Sequence, residues 1–317
     1  MGESRRTGAS WPRKWALLAI ALGLALLAAG RVRVAGAWAI VKAPNYGQSE
    51  VAMLEPPADV SRAIRAEVGP PRAMLEAWVF DPEGPPRGTT LVLHGIRDDK
   101  RALVGFGRAL RDRGMRAVLV DLRGHGGSSG RWLTYGVRES RDLSQLLDQL
   151  EAVGVLDGPV SVFGASYGGA VGLQLAAIDP RVHAVVSSST FASLRDVVPP
   201  QASAHVFGGS WLPQAVLDWI VDDAGALGGF SPDAADTRAA VARTDARVLL
   251  IHGREDRVVP YAHARALYRA CGGRCALHTL PGADHAGALA SPEASEAALS
   301  FLERHGTLEP SAGGLSR

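Results

Sequence analysis

From residue 89 onward, short apolar runs alternate with longer stretches in which apolar positions recur every three or four residues. The runs "TTLVLHG" (89–95), "RAVLVDLRGHG" (116–126), "PVSVFG" (159–164), "VHAVVSSS" (182–189), "ARVLLIHG" (246–253) and "ALHTLPG" (276–282) predict strands. Between them, "VGFGRALRDRG", "VRESRDLSQLLDQLEAVG", "YGGAVGLQLAAID" and "AHARALYRACG" have helical spacing, and "SPEASEAALSFLERH" predicts a closing helix. Strand–helix alternation predicts parallel pairing through crossover helices. Near-continuous apolar strands predict a sheet covered on both faces. Upstream, "AIRAEVG" and "AMLEAWVF", separated by Gly69, Pro70 and Pro71, predict a hairpin at an antiparallel edge.

The first forty residues follow another pattern. A basic flank (Arg5, Arg6, Arg13, Lys14) precedes an apolar run from Trp15 to Ala29 that has no polar face. The run is shorter than the roughly 20 residues of a comfortable membrane span. Three readings stay open: an uncleaved membrane anchor resuming through "VAGAWAIV", a signal segment cleaved near Ala37-Trp38-Ala39, or a buried core helix. The basic excess before the run predicts a cytoplasmic N-terminus and a domain outside the cytoplasm, or secreted after cleavage. That side permits disulfides, and Cys271 and Cys275, with Gly272 and Gly273 between them, can form a bridge or remain two thiols. A lone C-x3-C lacks the further ligands of a metal site. The Pro-rich segment 42–59 reads as a linker or an irregular approach to the domain, 60–306 as the folded domain, and 307–317 as a flexible tail.

Composition adds little: 317 residues, 47% hydrophobic and 21% charged, are ordinary for a globular protein. A net charge of +2 with dispersed arginines gives no footprint for nucleic acid.

The chemistry is concentrated at strand ends, where parallel sheets collect functional groups. "GASYG" (164–168) fits G-x-S-x-G between a strand and a helix, which predicts a sharp turn exposing the Ser166 hydroxyl; a helix N-cap serine is the plainer alternative. A serine nucleophile needs a base, and the base needs an orienting acid. Asp256, after "RVLLIHG", and His285, after "ALHTLPG", follow Ser166 in the order Ser, Asp, His. Glu255, His252 and His278 are poorer candidates, the two histidines lying within strands. The main-chain N–H groups of Ile96 and Tyr167 are the candidate oxyanion donors. His94, Arg123 and His125 read as braces of the neighbouring loops. "DLRGHGGSSG" lacks the lysine and spacing of a phosphate-binding loop.

Together, "LHGIRDDK", "DLRGHGGSSG", "GASYGG", "GREDRVVP" and "GADH" resemble the α/β-hydrolase superfamily, most closely its membrane-anchored ABHD-type and Bem46-like serine hydrolases. The resemblance covers about residues 60 to 306. It implies an α/β-hydrolase fold, with a mostly parallel sheet of about eight strands, helices on both faces and a small cap near 190–245, behind an N-terminal hydrophobic helix. It also implies Ser166 as nucleophile, Asp256 and His285 as its partners, and Ile96 and Tyr167 as oxyanion donors; no cofactor or metal is expected. The resemblance does not identify a substrate; the two Trp and the apolar content of 190–245, which can line an acyl pocket or simply pack onto the core, make the expected substrate a carboxylic ester or thioester with an apolar acyl group. A peptidase of the same fold and a non-catalytic binding protein on this scaffold are the alternatives. Nothing in the chain specifies an oligomeric state.

Overall fold

The computed structural model describes residues 13–48, 51–156, 158–198 and 213–307. Its centre is a single sheet built from β1 (Arg62–Val68), β2 (Ala73–Phe80), β3 (Thr89–Leu93), β4 (Arg116–Asp121), β5 (Val160–Ala165), β6 (Val182–Ser188), β7 (Arg247–Gly253) and β8 (Cys275–Leu280). The spatial order is β1-β2-β4-β3-β5-β6-β7-β8. β2 pairs antiparallel with both β1 and β4, and every pairing from β4 to β8 is parallel. The expected hairpin is therefore the antiparallel edge of a doubly covered parallel sheet.

Strand alternation divides the core. Leu91 and Leu93 of β3 face one layer with Val118, Val162 and Val185, while Val92 faces the other with Leu119, Phe163 and Val186. The first layer is covered by α3 (Glu139–Ala152) and α4 (Tyr167–Ala176), which contribute Leu143, Leu147, Val171 and Leu175. The second is covered by Leu110 of a helix at Val104–Asp112, termed α2, and by Ala298 and Leu302 of the closing helix Pro292–His305. Because both faces are buried, apolar residues at successive strand positions stabilise the fold, which explains runs without polar alternation.

At the N-terminus, helix α1 (Arg13–Val41) is a single 29-residue helix that contains Arg31 and Arg33 and continues through "VAGAWAIV". From Trp15 to Val41 it is long and apolar enough to cross a membrane. Ala37, inside the candidate cleavage site, is fully buried. The segment 42–59 is an irregular approach rather than a free linker, packed onto the domain where it is described. Ala43 and Val51 are buried, and Ala43 N–H donates to the Arg131 carbonyl. Asn45 Nδ2 donates to the carbonyls of Gly126 and Ser128. A Pro-rich composition marks irregular backbone, but that backbone hydrogen-bonds to loops far along the chain.

Within the expected cap, residues 199–212 lie outside the described residues. The cap's described helices include α5 (Gln214–Gly228) and α6 (Thr237–Arg243). After β7 comes α7 (Ala262–Ala270), and Cys271 at its end is disulfide-bonded to Cys275 at the start of β8, with the Cα atoms 5.9 Å apart. Two short helical pieces complete the account needed for the site: a 3-10 turn at Lys100–Leu103, and α8 (His285–Ala290), which precedes the closing helix α9 (Pro292–His305).

Candidate active site

Ser166 stands between β5 and α4, with φ 49° and ψ −107°. A non-glycine residue in this region costs on the order of 1–3 kcal/mol and persists only where its surroundings enforce it. Here they do. Ser166 N–H donates to the Ser188 carbonyl at 2.7 Å, and its own carbonyl accepts from Gly169 N–H and from the Thr190 hydroxyl. The neighbouring glycines permit the close approach. A Cβ at Gly164 would lie 2.4 Å from the Gly168 backbone, and one at Gly168 would lie 2.5 Å from the Leu93 carbonyl oxygen. Gly168→Ala is therefore expected to destabilise the protein by about 1–3 kcal/mol and to displace Ser166. Thermal unfolding and active-site serine labelling of the variant check this, and unchanged labelling would show that the turn tolerates a methyl group.

Tyr167 is the first residue of α4, so its N–H has no acceptor within the helix. Across from the turn lies the loop after β3. A Cβ at Gly95 would be 3.9 Å from Ser166 Cβ, which brings the loop carrying Ile96 against the serine. Two neutral histidines hold this loop. His94 Nε2 accepts from Leu122 N–H at 3.0 Å, leaving Nδ1 to donate to the Gly95 carbonyl at 2.7 Å. His125 Nε2 accepts from Arg97 N–H at 3.2 Å. Burial lowers the pKa of both, that of His125 to about 3. Arg123 forms a buried two-bond pair with Asp142, at 2.6 and 2.7 Å.

At the other side of Ser166, Asp256 follows the end of β7 and its side chain is fully enclosed. Its Oδ1 accepts from Val258 N–H (2.9 Å) and Val259 N–H (2.8 Å), and its Oδ2 lies 2.7 Å from His285 Nδ1. His285 opens α8, with Asp284 as the N-cap, rather than lying free in a loop. The two strand ends converge because Gly253 lets the chain at 283–284 approach: a Cβ there would lie 2.3 Å from the Ala283 carbonyl oxygen. The His285 side chain is 17% exposed, whereas that of Asp256 is sealed. One imidazole nitrogen is thus held by a buried carboxylate, while the ring keeps an open edge. The strained serine stands at the N-terminus of α4, two strands away in the sheet from the strand that Asp256 follows.

His252, a poorer base candidate by its place in a strand, is indeed a buried, hydrogen-bonded residue: its Nε2 lies 2.8 Å from the Val259 carbonyl and 3.4 Å from Asp256 Oδ2, so it also borders the carboxylate. Burial lowers its pKa and favours the neutral ring. Sequence reasoning passed over a wholly buried ion cluster. Lys100 Nζ contacts Glu76 Oε1 at 2.8 Å and Asp121 Oδ2, and lies 4.3 Å over the Trp78 ring. Asp121 also accepts from the N–H groups of Lys100 and Gly127, both at 2.7 Å. The cluster ties the loop after β3 to the glycine-rich loop after β4. Its sequence signal was Glu76, a carboxylate inside an apolar strand, which requires a partner when buried.

Comparison with known proteins agrees with this architecture. The Pyrococcus furiosus esterase Pf2001 superposes with a TM-score of 0.63 over 82% of this chain and 99% of that one, at 19% identity. A hydrolase from Pseudomonas aeruginosa gives 0.55 over 76% and 98%, at 25% identity. In sequence, the chain is 23% identical over 200 residues to the Bacillus subtilis protein YqkD, covering 62% of this chain and 65% of that protein. It is 30% identical over 155 residues to the Arabidopsis thaliana alpha/beta hydrolase domain-containing protein WAV2, covering 47% of this chain and 46% of WAV2. The chain thus spans less than two thirds of the length of either relative. A sequence model of the alpha/beta hydrolase family matches residues 90–298, which include Ser166, Asp256, His285 and the loop after β3, and the chain belongs to that family.

Proposed function

We propose that the protein is a serine hydrolase of carboxylic esters or thioesters, with Ser166 as nucleophile, His285 as base and Asp256 as the acid that orients it. The observation that carries this reading is the 2.7 Å contact between His285 Nδ1 and the buried Asp256 carboxylate. A carboxylate there fixes the tautomer in which Nδ1 carries the proton and Nε2 is the basic nitrogen. Ser166 Oγ attacks the acyl carbon as His285 Nε2 takes its proton. The ester C–O bond then breaks, the leaving alcohol takes that proton, and the acyl group remains on Ser166. Water, deprotonated by the same histidine, releases the acid and restores the serine. Ile96 and Tyr167 N–H groups donate to the oxyanion in both halves, each worth about 2.7–4 kcal/mol to the transition state.

A fluorophosphonate probe tests the assignment. It is expected to label the wild-type protein and not Ser166→Ala, and labelling of both would remove Ser166 as nucleophile. The apolar acyl group is tested by a series of p-nitrophenyl esters. Each buried methylene contributes at most about 0.8 kcal/mol, so kcat/KM is expected to rise by up to about fourfold per carbon from short to medium chains. A flat series, or a preference for peptides, would overturn the lipid-like substrate.

The same reading places the domain outside the cytoplasm, on an uncleaved helix. Four basic residues stand before the apolar segment (Arg5, Arg6, Arg13, Lys14), and Arg31 and Arg33 near its end. The Cys271–Cys275 bridge suits an oxidising compartment. Protease digestion of intact spheroplasts is expected to degrade the domain, and full protection would reverse the orientation.

A further inference from the structure

Helix α1 divides into two parts. Its first part carries exposed apolar side chains around the helix, among them Trp15, Leu18, Leu22, Leu27 and Val32. From Trp15 to Val32 the helix measures about 27 Å at 1.5 Å per residue, close to the thickness of a bilayer's hydrocarbon core. Its second part is bound to the domain without any intervening linker. The Arg33 guanidinium makes two 2.9 Å bonds to Asp223 of α5 and lies 5.3 Å over the Trp219 ring. Gly36 packs on Ile220, which an added Cβ would approach to 2.9 Å. Ala37 and Val41 form a closed apolar cluster with Ala224. The carbonyls of the last turn are also taken: Ile40 O accepts from the Tyr135 hydroxyl at 2.8 Å, and Val41 O accepts from Leu133 N–H at 2.8 Å. Ala39 O accepts from Arg97, next to the oxyanion donor Ile96, at 3.4 Å.

A domain on a flexible tether can take any distance from the membrane, whereas one packed on the last turns of the spanning helix cannot. The level at which Arg33 leaves the hydrocarbon sets the level of its partner Trp219. That side chain is 51% exposed, and an exposed tryptophan beside an arginine suits the membrane–water boundary. Two further exposed apolar residues, Ile96 at 38% and Val258 at 46%, stand on the loops that flank Ser166 after β3 and β7.

We propose that α5 and the end of α1 form a membrane-seated face, with Trp219 in the headgroup layer, and that the site takes its acyl ester from the bilayer rather than from water. This rests on the hydrolase and anchor readings above. The bilayer supplies long-chain esters already oriented, with the ester group at the headgroup level. The rigid α1–α5 junction holds the Ser166 end of the sheet at that height, and water enters only for deacylation.

The test uses the full chain in lipid nanodiscs of phosphatidylcholine and phosphatidylglycerol, with and without lipids brominated near the glycerol end of the acyl chain. The Trp219 emission, taken as the difference between wild type and Trp219→Phe, is expected to be quenched by the bromines. Equal emission in both lipids would overturn the seating. In the same discs, Arg33→Ala combined with Asp223→Ala is expected to raise KM for a disc-resident long-chain monoacylglycerol by about tenfold, with kinetics on a water-soluble short-chain ester unchanged. Equal changes on both substrates, or none on either, would overturn supply from the bilayer. A protein that hydrolyses neither ester would overturn the hydrolase reading, while the quenching result still decides the seating.

Discussion

Ser166→Ala is expected to lower kcat/KM on an activated ester by about 10⁴-fold or more, leaving only what binding and the oxyanion donors contribute. His285→Ala should cost about as much, and the double variant little more, because a nucleophile without its base is nearly as inert as no nucleophile. Asp256→Asn tests the arrangement more finely. Oδ1 of Asp256 already accepts from two backbone N–H groups, so an asparagine must place its carbonyl oxygen there. Its amide would then face His285 Nδ1 as a donor, enforcing the wrong tautomer in a site whose geometry is otherwise intact. A loss of about 10⁴-fold in kcat is expected, with an unchanged melting temperature. Burst kinetics with p-nitrophenyl acetate measure these steps, and near wild-type turnover in His285→Ala would rule out that residue as the base.

Lys100→Met is expected to produce the largest loss of stability. The ammonium sits fully buried between Glu76 and Asp121, and methionine would leave two carboxylates facing one another without water. Removing one partner of such a cluster costs about 3–5 kcal/mol, or roughly 6–20 °C in melting temperature for a domain of this size. Glu76→Gln in the Lys100→Met background should restore part of the loss by removing one charge. Differential scanning calorimetry reads both variants. A melting temperature for Lys100→Met within about 2 °C of wild type would show that the carboxylates accommodate themselves without the lysine. The cluster's contacts with the loops after β3 and β4 also predict that serine labelling slows in this variant below its melting temperature.

The strand pattern was legible because parallel strands covered on both faces must be apolar at nearly every position, as in β3. The two-sided helical cover followed from the same rule, and the hairpin edge from the Gly69-Pro70-Pro71 break between two strand-like runs. Ser166, Asp256 and His285 could be singled out because each stands just beyond a strand, a position that order along the chain specifies. The contact between Asp256 and His285 could not be read this way. It depends on Gly253 allowing the chain at 283–284 to approach, and the sequence states only that a glycine is there.

Other features were decided by tertiary structure because they are pairings between distant residues. Lys100, Glu76 and Asp121 come from three separate segments, and only the sheet order β2-β4-β3 makes them neighbours. His252 borders Asp256 because the chain after β7 turns back, bringing Val259 within reach of the ring. The segment after residue 41 could be read as a linker because prolines report local conformation, not the distant carbonyls that its N–H groups and side chains meet. The sequence by itself determined the alternation of elements, the order of the candidate catalytic groups and the presence of an apolar helix, all of which are local or periodic properties. Whether that helix hung free or packed against the cap was a matter of complementarity between surfaces, as in the Arg33–Asp223 pair and the contact of Gly36 with Ile220, and only the folded chain brings those surfaces together.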